Sequence, residues 1–230
     1  STRHALGRRI ARDHLTPRLP TAVQIPAYAI HPPGTMGDYP ESYLRFDPKV
    51  ARQLVADAGY PNGEGFPSTE ILYNTSEGHR KLAVAIQQMW KKHLNIDVTL
   101  LNQEWKVYLN SVSMKDYQIG RAGWIGDYVD PNNFLDMFLC NGGNNRTGWC
   151  NPVYDELILK HAPEAKTHEE RLEIFTQAEK MRLADMPVIP IYIYTSNNLV
   201  DPSVKTFSGT IINPPSSSAI YPESEVGSQH

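Results

Sequence analysis

The segment from residue 69 to residue 124 alternates strand-like and helical patterns, and this alternation constrains the fold more than any other feature of the sequence. TEILYNT, IDVTLLNQ and DYQIGRAGW are typical of strands. EGHRKLAVAIQQMWKKHL and EWKVYLNSVSM instead place apolar residues at helical spacing. Because only a few residues connect these five elements, the β-α-β-α-β order predicts a largely parallel sheet covered by helices.

Residues suited to ligand recognition follow each predicted strand, in segments 74–79, 102–105 and 121–127. The carboxyl ends of parallel strands meet at one edge of a sheet, and ligands of open α/β sheets bind beyond that edge. We therefore expect the three segments to form one rim.

The chain divides into three parts by composition. Residues 1–45 are expected to form a basic helix, with its charged face in solvent, and a proline-rich extended lead-in. Residues 46–209 should form the folded lobe, and residues 210–230 a flexible tail.

Further helices and strands are expected around the alternating unit. Asp47 and Pro48 predict the start of a helix. NPVYDELILKHA and THEERLEIFTQAEKMRLAD predict two amphipathic helices, the second capped by Thr167 and Glu170, whose apolar faces should cover the sheet. A strand interrupted by Pro190 and a second short strand, VKTFSGT, should follow.

The charge balance argues against a nucleic-acid partner. With 22 basic and 25 acidic side chains, the formal net charge is only -3, so no global field attracts polyanions. No apolar run approaches the roughly 18 residues that a membrane-spanning helix needs. The opening STRHALGRRIARDHLTPR is too basic for a secretory signal. We expect either a cytosolic chain or one whose targeting segment has been removed.

Two cysteines, Cys140 and Cys150, enclose the segment NGGNNRTGW. Their spacing is too wide for a CxxC redox or zinc pair. We favour a disulfide, which would persist in an oxidising compartment. The alternative is a pair of reduced, buried thiols, which suits a loop so rich in Gly and Asn less well.

No motif predicts catalysis, a metal or a cofactor. The sequence lacks a GxSxG nucleophile elbow and a glycine-rich phosphate loop. HEER at residues 168–171 lacks the second histidine of a zinc protease signature. We therefore expect a protein that is not an enzyme.

Four blocks resemble one family: LYNTSEGHRKLA, NIDVTLLNQEW, RAGWIGDYVDPNNFL and PVIPIYIYTSNNLV. In order and spacing they are similar to the carboxy-terminal lobe of periplasmic oligopeptide-binding proteins of ABC importers, the extracellular solute-binding protein family 5. The resemblance covers residues 25–209. It implies a periplasmic-binding-protein-like α/β lobe with a mixed, largely parallel sheet flanked by helices. It also implies short peptides as ligands, an ABC permease as partner and a periplasmic or extracytoplasmic location.

The resemblance also implies residue roles. Asp127 would pair with the α-ammonium of a peptide, and Arg121 and His79 would meet its carboxylate in certain length registers. Trp105 and Trp124 would be pocket walls. The other ligand-binding candidates in the matched blocks are Gly123, Tyr128 and Asn102.

The residues alone leave other interpretations open. GDYVDPNN is good turn chemistry, so Asp127 and Asp130 could serve as turn and capping residues. Trp105 and Trp124 could belong to a core, and His79 could be a plain surface residue. A peptide hydrolase is a further, weaker alternative.

Two departures from the family pattern matter. Some relatives have another basic residue before RAGW, where this chain has Val112 and Lys115, so the pattern does not fix ligand length. Family members are also about twice as long, and we expect their amino-terminal lobe to be missing here. The partner covering the exposed site would be that lobe or a second copy of the chain; in the second case a self-standing truncated lobe would dimerise, with little or no peptide binding.

Overall fold

The computed structural model describes residues 2–15, 24–35 and 45–195. The strands in these residues are β1 (Ile25–Pro26), β2 (Thr69–Asn74), β3 (Val98–Gln103), β4 (Ile119–Gly120) and β5 (Tyr192–Ile193). The α-helices are α1 (Thr2–Arg8), α2 (Arg12–Leu15), α3 (Pro48–Asp57), α4 (Glu77–Leu94), α5 (Trp105–Met114), α6 (Asn132–Leu135), α7 (Pro152–Glu156), α8 (Ala162–Glu164) and α9 (His168–Asp185). Two 3-10 turns, Pro61–Gly63 and Asp136–Phe138, and one π-helical turn, Leu157–His161, complete the elements.

The centre of the lobe is a parallel sheet in the order β3-β2-β4. The register pairs Thr69 with Val98 at one end of β2 and Asn74 with Gln103 at the other. This arrangement confirms the predicted α/β class and the parallel sheet.

The third predicted strand is shorter than expected. Only Ile119 and Gly120 pair with β2. The Arg121 N–H still donates to the Leu72 carbonyl at 2.8 Å, but the chain then leaves the sheet because Trp124 packs against a second core.

Helices α4 and α5 connect the strands as predicted. Helix α4 buries Leu82, Ile86 and Trp90 in a core shared with β2 and β3, which is the stripe that its periodicity predicts. It ends at Asn95, which adopts the left-handed conformation with φ of 56°. Helix α5 begins after Glu104, whose carboxylate accepts a hydrogen bond from the Lys106 N–H at 2.8 Å.

The basic opening is only partly solvated: Arg3 is exposed and Arg8 is half-buried, so the prediction of a solvated helix face holds for these two residues and is wrong for Arg9 and Arg12. Arg9 and Arg12 are 0% and 1% exposed. Arg9 donates to the His93 carbonyl at 2.9 Å, and Arg12 donates to the Pro190 carbonyl at 2.8 Å. These backbone carbonyls offset part of the cost of burying the guanidinium groups, and burial lowers the pKa of each to about 10.

Helix α3 packs beside this opening. The Asp47 carboxylate accepts hydrogen bonds from the Lys49 and Val50 N–H groups, both at 3.0 Å. This confirms the predicted N-cap.

The two amphipathic helices after the cysteines form a second core rather than covering the sheet, which corrects the prediction. Helix α9 and the helical stretch from α7 to α8 pack on each other and on the 132–138 turn. The buried side chains include Leu135, Phe138, Tyr154, Ile158 and Phe175. The apolar faces are satisfied by one another, so they need no contact with the sheet. Thr167 caps α9 as predicted, accepting from the Glu170 N–H at 3.1 Å.

A buried ion pair ties the lead-in to this second core. Glu179 and Arg182 on α9 are both 0% exposed, and their side chains approach to 2.7 Å. Glu179 also accepts from the Ile30 N–H at 3.1 Å.

Strands β1 and β5 form a separate antiparallel pair, with Ile25 opposite Ile193. Up to residue 195, where the description ends, the predicted strand around Pro190 is reduced to Tyr192–Ile193. The VKTFSGT strand and the 210–230 tail lie outside the described residues, and the proposed division into three parts stays a prediction.

Cys140 and Cys150 form the predicted disulfide, with an S–S distance of 2.10 Å. In the described ranges, no helix has both the length and the apolar character to cross a bilayer. The same ranges contain no cluster of three or more His, Cys, Asp or Glu side chains able to hold a metal ion.

Candidate functional site

The carboxyl ends of β2 and β3 meet at one edge of the sheet, where the predicted rim begins. Just beyond β2, the Thr75 N–H donates to the Gln103 carbonyl at 2.9 Å. The Thr75 hydroxyl donates to Asn102 Oδ1 at 3.0 Å. Asn102 is exposed, so part of its amide faces solvent at this edge.

Arg121 emerges where β4 ends and is held by polar partners. Its Nη2 donates to the Tyr194 hydroxyl, and its Nη1 lies 3.5 Å from Asn74 Oδ1. Its carbonyl accepts from the Tyr108 hydroxyl. Arg121 forms no ion pair with any acidic side chain in the described part of the chain. A half-buried cation in this state is available to an anion.

His79 approaches the hydroxyl of the same tyrosine. Its Nε2 is 3.5 Å from the Tyr194 hydroxyl, and its Nδ1 is 3.4 Å from the Asn74 carbonyl. Burial, and then the positive charge of Arg121, lower the pKa of His79 below the ordinary value. The imidazole is therefore neutral near pH 7 and can exchange hydrogen bonds with a ligand.

Gly123 gives this cluster its room. A Cβ at this position would lie 3.2 Å from Arg121 Nη2 and 3.4 Å from the Tyr194 ring. A side chain would therefore press on the guanidinium group and on the ring that holds it.

Trp105 forms an exposed aromatic surface next to the cluster. Its ring stacks on Tyr108 with centroids 5.6 Å apart, and the side chain is 51% exposed. Since Tyr108 donates to the Arg121 carbonyl, the tryptophan is linked to the arginine through one residue. Exposure of this kind fits a ligand-facing wall better than a core position.

The loop that carries Asp127 is anchored to the second core. Trp124 Nε1 donates to Asn133 Oδ1 at 2.9 Å. Gly126 is buried, and a Cβ there would lie 2.9 Å from the Phe134 ring. Burial alternates along this loop: Trp124 and Gly126 lie against the second core, whereas Ile125 and Asp127 are exposed to solvent.

Asp127 itself is exposed and lies near a second carboxylate. Burial, followed by the negative charge of Asp127, raises the pKa of Asp136 above its ordinary value. Two carboxyl groups near each other favour a cation between or beside them. Tyr128 is also exposed, and its hydroxyl accepts from Asn132 Nδ2 at 3.4 Å.

Asp130 has a structural role, as the turn chemistry suggested. Its Oδ1 accepts from the Asn132 N–H at 2.8 Å, and both oxygens bind Arg171 at 2.7 and 2.8 Å. The capping contact follows from the Asp-Pro sequence, whereas the distant arginine could not be found from it.

The structure thus brings six of the eight candidates into two groups, while Asn102 and Trp105 lie at the end of β3 and the start of α5. Arg121, His79 and Gly123 meet at Tyr194, whereas Trp124, Asp127 and Tyr128 lie on the following loop. The ligand roles of all eight candidate residues stay predictions. The sequence interpretation missed Tyr194. The alternating aromatics of IYIYT indicate a strand, but they do not show that its last tyrosine lies beside Arg121.

Comparison with known proteins identifies the family. A family model of the bacterial extracellular solute-binding proteins, family 5 Middle, matches residues 1–146. The chain belongs to this family. Membership confirms the predicted recognition, and it supports the expectation of a binding protein rather than an enzyme, since the curated relatives carry the names of binding proteins.

The relatives agree in both sequence and structure. The chain is 40% identical over 212 residues to the oligopeptide-binding protein OppA of Bacillus subtilis, covering 88% of this chain and 38% of that protein. It superimposes on OppAIV of Borrelia burgdorferi with a TM-score of 0.84 and 37% identity, covering 96% of this chain and 45% of that one. Haemophilus influenzae OppA in complex with RPPGFSPFR gives a TM-score of 0.78 and 33% identity, covering 88% of this chain and 41% of that one. The chain therefore spans about two fifths of the length of these relatives.

Proposed function

We propose that this chain forms one wall of a binding site for short peptides in a solute-binding protein that serves an ABC importer. The observation that carries the proposal is Arg121, a half-buried cation held by Tyr194 and Asn74 with no acidic partner in the described residues. Family membership and relatives named for oligopeptide binding support it.

Peptides of varied sequence share two terminal charges and a ladder of backbone amides. A permissive receptor therefore needs an anion, a cation and exposed hydrogen-bonding groups. In our proposal Asp127 binds the α-ammonium group, and Arg121 binds the carboxylate directly or through water. His79, neutral beside Arg121, supplies a hydrogen bond to the carboxylate.

The remaining candidates shape the site. Trp105 and Trp124 are proposed as walls against ligand side chains, and Tyr128 as a flanking aromatic. Gly123 keeps space for the ligand backbone beside the guanidinium group, and Asn102 offers an amide at the edge of the sheet. Large hydrated pockets between such walls would discriminate little among side chains.

A second body is proposed to close over this wall. It would be the remainder of a longer protein, in keeping with the chain's span of about two fifths of its relatives, or a second copy of this chain. Closure would remove water from both charge pairs and strengthen them. We further propose an extracytoplasmic location and delivery of the peptide to a membrane permease, in keeping with relatives named as periplasmic.

Isothermal titration calorimetry on the longest protein carrying this chain tests the proposal. A tripeptide with free termini should bind, whereas acetylation of its amino terminus should weaken binding at least about tenfold, since a charge-assisted pair is lost. Asp127→Asn should reproduce the effect of acetylation and leave the acetylated peptide unaffected. Asp116→Asn, which removes an exposed carboxylate elsewhere, is the matched control. Equal affinity for the free and acetylated peptides would reject the assigned role of Asp127.

A further inference from the structure

The loop closed by Cys140 and Cys150 has its shape set by one buried side chain. Asn145 is 6% exposed. Its two Nδ2–H groups are shared among the carbonyls of Phe138, Leu139 and Trp149, at 3.2, 2.9 and 2.7 Å. Its Oδ1 accepts from the N–H and hydroxyl of Thr147 at 3.1 and 2.8 Å. Because one buried amide forms hydrogen bonds with so many groups of the loop, the loop has a fixed conformation.

One side of this loop is fixed to the second core. Trp149 Nε1 donates to Asp185 Oδ2 at 2.9 Å, and the Trp149 ring packs edge-on against Tyr154 at 5.0 Å. The Cys140 N–H donates to both Asp155 oxygens, at 3.0 and 3.1 Å. The loop is thereby tied to α7 and α9.

The other side of the loop reaches the sheet. The Tyr117 hydroxyl donates to the Arg146 carbonyl at 2.6 Å, and Arg146 Nη1 donates to Ser113 Oγ at 2.9 Å. Ser113 lies in α5 and Tyr117 in the connection that leads into β4, so the loop contacts both the helix and this connection.

Tyr117 transmits this contact to the candidate site. Its ring packs with Leu72, Tyr108 and Val112. It also lies so close to Gly120 that a Cβ there would be 3.0 Å from the ring. Gly120 is followed directly by Arg121, so the end of β4 is held between the ring of Tyr117 and the pairing with β2.

We propose that the disulfide-closed loop is a positioning element of the ligand site, with Tyr117 as the residue through which it acts. The loop fixes the end of β4, and with it Arg121, against the second core that anchors the loop of Asp127. The two proposed charge anchors are then held at one separation, which sets the peptide lengths that can span both. This inference rests on the proposed function for the identity of the ligand, but the coupling of the loop to β4 can be measured in the absence of any ligand.

Hydrogen exchange of the ligand-free chain measures the coupling. Tyr117→Phe removes only the hydroxyl that reaches the loop. The amide of Arg121, bonded to the Leu72 carbonyl at 2.8 Å, should then exchange roughly three to ten times faster, as expected for the loss of one supporting hydrogen bond. The Cys140→Ser/Cys150→Ser variant should also accelerate exchange of the Arg121 amide.

Tyr154→Phe is the matched control. It removes a tyrosine hydroxyl that donates to the Leu135 carbonyl at 2.7 Å, inside the second core. It should lower the melting temperature without accelerating exchange at Arg121. Unchanged exchange at Arg121 in Tyr117→Phe, or equal acceleration in both tyrosine variants, would overturn the positioning role.

Peptide binding then separates this inference from the proposed function. In the longest protein carrying the chain, Tyr117→Phe should weaken binding of a tripeptide with a free carboxylate several-fold and leave its carboxy-terminal amide unaffected. Equal weakening for both peptides would indicate a general structural effect and would also overturn the inference. If the unmodified protein binds neither peptide, the proposed function fails, while the exchange experiment still decides whether the loop fixes β4.

Discussion

Substitution of one member of the fully buried pair of Glu179 and Arg182 should cause a large loss of stability. Both side chains are 0% exposed, with two contacts of 2.7 Å between them. Arg182→Met would leave the Glu179 carboxylate buried without the charged group it pairs with, although the Ile30 N–H still donates to it. Loss of one partner of a buried pair costs about 3 to 5 kcal/mol. For a chain of this size, that corresponds to a fall in melting temperature of roughly 6 to 20 °C.

A second substitution should rescue most of this loss. Glu179→Gln in the Arg182→Met background removes the stranded charge but keeps an acceptor for the Ile30 N–H, so the double variant should recover about 2 kcal/mol. Urea unfolding measures the difference. Lys91→Met is the control, because its pair with Asp97 is 51% and 80% exposed and should contribute less than about 1 kcal/mol. A cost below about 1 kcal/mol for Arg182→Met, or no rescue, would refute the reasoning.

Three further predictions concern the site and its surroundings. Arg121→Met should leave the free energy of unfolding within about 1 kcal/mol while weakening peptide binding ~30-fold or more. A large loss of stability in unfolding experiments would contradict a guanidinium group that has no acidic partner among the described residues. NMR titration should place the pKa of His79 below the ordinary value of about 6.5, and Arg121→Met should raise this pKa. Protonation of His79 should lower the free energy of unfolding as the pH falls through the pKa of His79 in the unfolded chain. An unchanged pKa in the variant would contradict the influence of Arg121. Burial raises the pKa of Asp130, but hydrogen bonds from Arg171 and the Asn132 N–H lower it overall. The parent chain should therefore have extra stability above pH ~3.9 that is lost on further acidification, and Asp130→Asn should remove it. Identical acid unfolding of the variant and the parent would contradict this.

The local elements could be predicted because local chemistry determines them. Asp47 before Pro48, the apolar stripe of α4 and Thr167 before α9 each carry their signal within one or two helical turns. The order of strands and helices was sufficient to predict the parallel sheet, since few topologies fit it.

The errors arose where distant contacts decide the structure. Arg9 and Arg12 look like solvent-facing charges, but carbonyls from residues far along the chain accept from them. The helices around Tyr154 and Phe175 have apolar faces that fit each other as well as a sheet, and their periodicity cannot distinguish the two arrangements.

Only part of the candidate site could be predicted from the sequence, for the same reason. Arg121 and His79 come from segments that follow different strands, so the strand order brought them to one edge. Tyr194, which links them, comes from a segment more than seventy positions later in the chain than Arg121. Only the fold could reveal that the tyrosine lies between them.

The most direct test of the account is a crystal structure of the longest protein carrying this chain with a tripeptide bound. We predict that the α-ammonium group of the peptide lies within hydrogen-bonding distance of the Asp127 carboxylate, with the peptide backbone running along the edge of the sheet toward Arg121. A peptide bound with its ammonium group directed away from Asp127 would contradict the central claim.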